Sequence, residues 1–169
     1  MKHVIPEFSR LLAVDRVPRA GSYEKITANP KECRAVAARL DVLALHVFGA
    51  ELRATPWRGG GLKLEGKLTA DVEQISVVSL EAVRSLVEFP VLRYFMPPGA
   101  KVMVDDEAEI DPIEIGHVDL GEVATETLAL ELDPYPRQPG EAFDEIIGEV
   151  PESPVKDSPF AALLKLKPK

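Results

Sequence analysis

The stretch Leu62-Lys63-Leu64-Glu65-Gly66-Lys67-Leu68-Thr69-Ala70-Asp71-Val72-Glu73 alternates between apolar and polar residues over most of its length. Side chains of a β-strand point alternately to the two faces of a sheet, so this pattern places the leucines on one face and the charged residues on the other. One apolar and one charged face are typical of an antiparallel sheet that is solvated on one side. We therefore predict that this stretch is a strand of such a sheet.

Long strands are also predicted on either side of this stretch. Residues 43–54 alternate in the same way, but the phase changes at Gly49, which favours a β-bulge or a sharp bend there. A turn over residues 56–61 would join this strand to the next. Residues 83–95 are predicted to form another long strand. Pro90 within it favours an edge position or a bulge, because proline has no N–H to give to a ladder.

Helix-capping residues mark the starts of two predicted helices. Asn29 can cap the first, with Glu32 three residues later, and Asp119 can cap the second, with Glu122 in the position of a capping box. Pro134 would end the second helix. Their apolar faces consist of Cys33, Val36, Ala37 and Leu40 in the first helix, and of Leu120, Val123, Ala124, Thr127 and Leu128 in the second.

These elements predict an α+β fold with a bent antiparallel sheet, two helices and an extended C-terminal tail. The sheet would either stay open or curl into a barrel. The α+β domain would cover residues 1–133. Prolines and acidic residues then dominate, so residues 134–157 are predicted to be a linker, followed by a short amphipathic helix at 158–169. Smaller predicted elements are an entry strand at 7–17, a strand at 101–104 and a solvated acidic loop at 105–109.

The charge of the chain is divided unevenly along its length. The formal net charge is −8; residues 1–75 hold 12 Lys and Arg against 9 Asp and Glu, whereas residues 76–169 hold 8 against 19. A direct nucleic-acid binder usually presents a concentrated basic face, which the second half lacks. A surface of this charge would attract a basic protein, or would simply keep the protein in solution.

The cysteine content and the hydropathy pattern bear on location. Cys33 is the only cysteine, so an internal disulfide is excluded, as suits a reducing compartment. Residues 1–7 do not resemble a signal peptide, and no stretch is long and apolar enough to cross a bilayer. We expect a cytoplasmic protein without a membrane partner.

One group of residues could in principle carry chemistry. His117 lies near Asp111, Glu114 and Asp119 in the sequence, and such nitrogen and oxygen ligands can hold a metal ion or act as acid and base. The alternative, which we favour, is that Asp119 caps a helix and His117 is a surface residue. We therefore expect no catalytic residue, no metal and no cofactor.

A second group lies at the tip of the predicted hairpin. Trp57 and Arg58 form the kind of pair found at protein contacts and stacked on RNA bases. The alternative is that Trp57 folds back over the edge of the sheet. With Arg53, Lys63 and Lys67, this 53–67 hairpin is also the candidate surface for direct RNA binding.

Several segments resemble one family in their order and spacing. They include Gln74-Ile75-Ser76-Val77-Val78-Ser79-Leu80-Glu81-Ala82-Val83, Pro134-Tyr135-Pro136-Arg137 and Pro159-Phe160-Ala161-Ala162-Leu163-Leu164-Lys165-Leu166-Lys167. The chain resembles the YceD family of large ribosomal RNA subunit accumulation proteins, in the style of its alphaproteobacterial members. Many relatives have cysteine where Ser76 stands, and some have a second at Ser79. Thiol chemistry at these positions is therefore not open to this chain.

The resemblance implies a non-enzymatic ribosome-biogenesis factor that promotes accumulation of large-subunit ribosomal RNA. Our hypothesis is that the acidic half binds a basic ribosomal protein or an assembly intermediate. The terminal segment, with Phe160, Leu163, Leu164, Lys165 and Lys167, would dock on that partner as an amphipathic helix, or would pack back onto its own domain.

Two alternatives to this function remain. The first is direct binding of ribosomal RNA by the 53–67 hairpin, and the second is an uncharacterised hydrolase that uses His117. No small-molecule substrate is expected under the main hypothesis.

Overall fold

The structure, a computed structural model, describes residues 6–100 and 110–141. The strands and α-helices in these ranges are β1 (Leu11–Ala13), β2 (Ser22–Thr27), α1 (Pro30–Arg39), β3 (Ala44–Trp57), β4 (Gly61–Ile75), β5 (Ala82–Met96), β6 (Ile110–Pro112), β7 (His117–Asp119) and α2 (Leu120–Glu131). The α+β fold class is confirmed. The predicted strand at 101–104, acidic loop at 105–109 and helix at 158–169 lie outside the described residues.

The main sheet has five strands in the order β2-β3-β4-β5-β6. The first three pairings are antiparallel, as predicted, but β6 runs parallel to β5. A parallel neighbour requires a crossover of about a dozen residues, and residues 97–109 supply it. In the described part of the chain β2 and β6 end the sheet without pairing to each other, so the sheet is open and not closed into a barrel. A separate pair, β1 and β7, lies beside α2.

The inner face of the long strands forms the core. The side chains of Leu62, Leu64, Leu68, Ala70 and Val72 are fully buried, as the alternation of β4 predicts. Helix α1 packs on β3, and α2 packs on β4 and β5, so the two helices cover this face with their predicted apolar stripes. Phe8, from the segment before β1, packs against Phe48 with ring centroids 5.3 Å apart.

The outer face of the sheet carries pairs of opposite charge. Lys25 contacts Glu51 at 2.8 Å and Arg84 contacts Asp71 at 2.6 Å, each pair joining neighbouring strands. The solvated face predicted from the sequence is therefore confirmed, and its charges are largely compensated locally.

The irregularity of β3 lies earlier than the sequence suggests. Pairing with β4 slips between Leu45 and Val47, so His46 is the extra residue and the predicted position at Gly49 is wrong. Gly49 is instead required by close packing, because a Cβ atom there would lie 2.5 Å from the carbonyl oxygen of Ile26 in β2. A slip of this kind bends the bulged strand locally and increases its twist.

The strands β2, β6 and β7 were not predicted from the sequence. The inward-facing positions of β2 include only one apolar residue, Ile26, so its sequence shows no alternation of apolar and polar residues.

At α1 the predicted capping box is present, since Asn29 accepts from the backbone of Glu32, whose carboxylate returns to the Asn29 N–H at 2.8 Å. At α2 Asp119 caps as predicted, but Glu122 pairs with Arg39 of α1 at 2.6 Å instead of returning to the cap.

Replacing Gly49 by alanine should destabilise the protein by about 1–3 kcal/mol, because the added methyl group would press on the β2 backbone. Urea denaturation followed by circular dichroism measures the loss. Thr69→Ala, at the position of β4 that pairs with Gly49, is the matched control and should cost less than about 1 kcal/mol. Equal losses for the two variants would contradict the steric explanation.

Candidate functional site

At the hairpin tip predicted to contact a partner, the Trp57 side chain packs against another strand of the same protein. Trp57 is half-buried at the end of β3, and its ring lies 4.8 Å from that of Tyr94 in β5. Arg58 is exposed in the following 3₁₀ turn, Arg58–Gly60, where Gly59 and Gly60 have positive φ. One face of the indole is therefore covered, and Arg58 is the more accessible member of the predicted pair.

The other cations of this hairpin contact neighbouring side chains. Lys63 contacts Glu65 at 2.5 Å and Lys67 contacts Glu88 at 2.9 Å. The guanidinium of Arg53 lies over the ring of Tyr23, 5.5 Å from its centroid. The four cations do not form a concentrated basic patch.

The turn between β4 and β5 is built around Ser76, which is fully buried. Its hydroxyl accepts hydrogen bonds from the N–H groups of Val78 and Ser79 and donates one to the carboxylate of Glu141 at 2.5 Å. The N–H of Val77 donates to the carbonyl of Pro136 at 2.9 Å. Ser76 is therefore a structural residue that attaches the segment after α2 to this turn, an arrangement we call the Ser76 clip.

The electrostatics of the clip depend on Glu141. Hydrogen bonds from Ser76 and Ser79 lower the pKa of this carboxyl. The clip was not predictable from the sequence, because nothing in the local pattern relates a serine to a glutamate 65 residues later. The start of the segment predicted as linker, residues 134–141, contacts the domain here. The predicted division into domain, linker and terminal helix stays a prediction.

A cleft of about 680 Å³ opens between the N-terminal half of α2, the strands β6 and β7, and the end of β5. Its floor is apolar, with the buried side chains of Phe95, Val118 and Val123. Its rim carries two exposed aliphatic side chains, Leu11 at 68 % and Ile115 at 86 % exposure. This cleft was not predictable from the sequence, because its walls come from parts of the chain more than one hundred residues apart.

Acidic side chains dominate the walls of the cleft. The ionisable residues that line it are Arg93, Asp111, Glu114, His117, Asp119, Glu122 and Glu126. With His117 neutral, five carboxylates against one guanidinium leave a formal charge of −4. Arg93 contacts Asp111 at 2.7 Å and Glu126 at 3.3 Å, so it bridges a carboxylate of β6 and one of α2. An apolar floor under acidic walls suits a ligand that is both apolar and cationic.

The residues considered for catalysis lie in this cleft but do not form an acid–base pair. His117 contacts the carbonyl oxygen of Ile115 through Nδ1 at 2.9 Å. The Asp119 carboxylate accepts from Ser9 Oγ, from the N–H of Arg10 and from the first turn of α2. Within residues 6–100 and 110–141, no group of three or more His, Cys, Asp or Glu side chains is placed to hold a metal ion.

Cys33 lies where its helical pattern predicts. It is buried on the inner face of α1, and burial raises the pKa of its thiol, so the reactive thiolate is disfavoured.

Comparison with protein families supports the resemblance seen in the sequence. The model of the large ribosomal RNA subunit accumulation protein YceD matches residues 64–167. The chain belongs to the YceD family. The match includes most of β4, the Ser76 clip, α2 and the cleft walls that these elements form. No curated protein and no solved structure matches the chain in the two further comparisons.

The family description bears directly on function. It links YceD proteins to accumulation of large-subunit ribosomal RNA, a role in ribosome biogenesis, and it names no catalysed reaction. Within the described ranges, no helix is long and apolar enough to cross a membrane. The predicted contact residues in the tail, Phe160, Leu163, Leu164, Lys165 and Lys167, lie outside the described residues, so they stay a prediction, as do Trp57 and Arg58.

Replacing Asp119 by alanine should destabilise this YceD protein by about 1–2 kcal/mol, because α2 would lose its cap and the segment before β1 its anchor. His117→Ala should change stability by less than about 0.5 kcal/mol, since its side chain is exposed. Thermal and urea denaturation measure both. A loss at His117 as large as that at Asp119 would contradict these assignments.

The Ser76 clip should open in acid. The pKa of Glu141 is lowered from its ordinary value of 4.5, so the stabilisation that the carboxylate provides is complete above that value and is lost as the pH falls through the lowered pKa. Amide exchange at Val77, corrected for its intrinsic rate, should accelerate over that interval, whereas exchange at Leu68 in the middle of β4 should not.

The matched variant for this experiment is Glu141→Gln, which keeps an acceptor oxygen but cannot titrate in this range. Its Val77 amide should exchange faster at neutral pH, because a neutral acceptor forms a weaker hydrogen bond with Ser76. Its exchange should not accelerate further in acid. An unchanged acid response in this variant would assign the opening to another group.

Proposed function

We propose that this YceD protein is a non-enzymatic ribosome-biogenesis factor that promotes accumulation of large-subunit ribosomal RNA by binding a basic ribosomal protein or assembly intermediate. The observation that carries the proposal is the acidic cleft, together with the family to which the chain belongs. A protein that binds ribosomal RNA neutralises phosphates with lysine and arginine, so before assembly it exposes cations that need another partner.

The form of the cleft supports a protein ligand. The residues that line it have a formal charge of −4, which the Arg39 guanidinium beside Glu122 partly offsets. The remaining negative charge would steer a cationic segment toward the cleft and raise the rate of encounter. The apolar floor can bury large apolar side chains, which a simple polycation lacks. A segment with both lysine or arginine and large apolar side chains would satisfy both parts of the surface.

The same charges argue against direct contact with RNA at the cleft, because phosphates would be repelled there. The candidate surface for RNA remains the hairpin tip, where the exposed guanidinium of Arg58 favours this second function. The local contacts of Lys63 and Lys67 with carboxylates weaken it, since those cations are already partly neutralised. A gel-shift with ribosomal RNA across a salt series separates the two, because steep loss of affinity with salt is expected only for direct phosphate contacts.

Hydrolysis ranks last among the alternatives. Asp119 is occupied by hydrogen bonds from Ser9 and from the backbone, and His117 contacts a backbone carbonyl. Among the described contacts, no hydrogen bond joins the two side chains as it would join a general base and its orienting partner. Full complementation of a deletion strain by His117→Ala would exclude a catalytic role for this residue.

Removing charge from the cleft should reduce recovery of the basic partner severalfold when the tagged protein is purified from its native cells. The variant combines Glu114→Gln and Glu126→Gln, both in the cleft walls. The control combines Glu24→Gln and Glu131→Gln, which change the net charge equally and lie outside the cleft. Mass spectrometry and RNA sequencing identify what elutes with each.

The outcomes discriminate between the functions. Loss of a basic ribosomal protein from the cleft variant alone supports the proposal. Equal recovery of the partner from both variants would exclude the cleft as the binding surface. Recovery of RNA without protein, abolished by Arg58→Ala, would instead support the hairpin as an RNA-binding element.

A further inference from the structure

We propose that the acidic cleft binds the chain's own C-terminal segment, residues 158–169, in the same molecule. This inference concerns the surface named in the proposed function but does not rest on it, because it requires no other protein. Of the two alternatives that the sequence leaves open, docking on a partner or packing onto its own domain, it selects the second.

The cleft has the properties of a surface that is covered in solution. Leu11 and Ile115 expose large aliphatic side chains at its rim, next to the buried apolar floor. Ile115 also has φ of 48°, a conformation that β-branched residues rarely adopt because of steric conflict with the backbone. Such strain is concentrated at binding sites, where the surrounding structure holds the residue in place. Here the strained turn presents an apolar side chain beside acidic walls.

The terminal segment has the complementary composition. Phe160, Leu163, Leu164 and Leu166 supply large apolar side chains, and lysines at 165, 167 and 169 supply positive charge. The preceding segment, residues 142–157, carries five carboxylates and one lysine, so it would be repelled by the walls of the cleft. Charge therefore selects the end of the chain over the part that connects it.

The connecting chain is long enough to reach the cleft. Helix α2 has 12 residues and is about 18 Å long; its first turns line the cleft, and Asp133 beyond its far end accepts a hydrogen bond from Gln74. The Ser76 clip then holds Glu141 near the β4–β5 turn. The sixteen residues 142–157 can span at most about 50–60 Å, well beyond the length of α2.

Tethering also lowers the affinity that binding requires. A segment joined by a linker of this length reaches an effective concentration of roughly millimolar, so contacts that would be weak between separate molecules suffice. A basic partner would then have to displace the segment. Deleting the chain after Pro154 should leave partner recovery unchanged or increase it, whereas a segment that docks on the partner would make the same deletion reduce recovery.

Paramagnetic relaxation enhancement in the full-length chain tests the proposal directly. A nitroxide on Pro168→Cys, in a Cys33→Ala background, leaves all three terminal lysines in place. We expect loss of amide signals at Leu11, Ile115 and Val123 in the cleft, and none at Val47 and Leu86 on the outer face of the sheet. Uniform weak broadening, or stronger broadening on the outer face, would overturn the proposal.

Mixing experiments exclude the other occupants. In a sample of isotope-labelled chains without nitroxide and unlabelled chains with it, the cleft signals should remain; their loss would assign the cleft to a second copy. Residues 1–5 adjoin Pro6 at the cleft and include Lys2, so they are a competing occupant. A nitroxide at Lys2→Cys that broadens the cleft, with no effect from Pro168→Cys, would favour them and refute the proposal.

Variants separate specific binding from nonspecific attraction. The Glu114→Gln and Glu126→Gln pair should reduce the broadening severalfold, and Leu163→Ser with Leu164→Ser should do the same, whereas Glu24→Gln with Glu131→Gln should not. Leu163 and Leu164 lie outside the described residues. For every variant, unchanged amide shifts in β3 and β4 show that the fold is kept, so that a loss of broadening reports on binding. No response to either test pair would overturn the proposal. Because these spectra contain no partner, their failure leaves the pull-down result of the proposed function unaffected.

Discussion

The long antiparallel ladder of β3, β4 and β5 is the constraint on which the rest of the structure depends. Strands of 14 and 15 residues, with apolar and polar residues alternating most regularly in β4, produce a large apolar face that water must not reach. Each fully buried leucine of β4 contributes about 1.5–3 kcal/mol, so covering this face decides where α1 and α2 must lie. The cleft follows from that placement, because α2 begins where β5 and β6 end.

Ion pairs then orient the covering elements. Arg39 of α1 contacts Glu122 of α2 and Glu7 before β1, and these partners raise the pKa of its guanidinium. Arg10 contacts Glu32 with both guanidinium nitrogens, and this contact lowers the pKa of Glu32. Partly exposed pairs of this kind contribute about 1 kcal/mol or less to stability, so their main effect is to fix the direction of the N-terminal segment, which forms one wall of the cleft.

Features with a local cause were predictable from the sequence. The alternation of β4, the stripe of α1 and the caps Asn29 and Asp119 each depend on residues within a few positions of one another. Features that depend on contacts between residues far apart in the sequence were not predictable. Gly49 suggested a bulge, but its actual role depends on the approach of β2, and Glu122 left its expected capping role because Arg39 of another helix offers two charge-assisted hydrogen bonds. The cleft could not be foreseen for the same reason, since it exists only when residues 6–11 meet the end of β5 and residues 111–126.

The charge division along the sequence takes on a different meaning in the fold. The first half is basic in composition, yet on the outer sheet face its lysines lie beside carboxylates, so little net charge faces solvent there. The acidic second half concentrates carboxylates around one apolar floor and ends in a cationic, apolar segment. The carboxylates and floor of the cleft, and the terminal segment up to residue 167, lie within the region matched by the YceD model, whereas β2 and β3 lie before it. The part of the chain shared with the family thus contains both a surface suited to a basic ligand and a segment with the chemistry of that ligand. Competition between this segment and a basic partner would expose the apolar surface of the cleft only to a partner able to replace the segment.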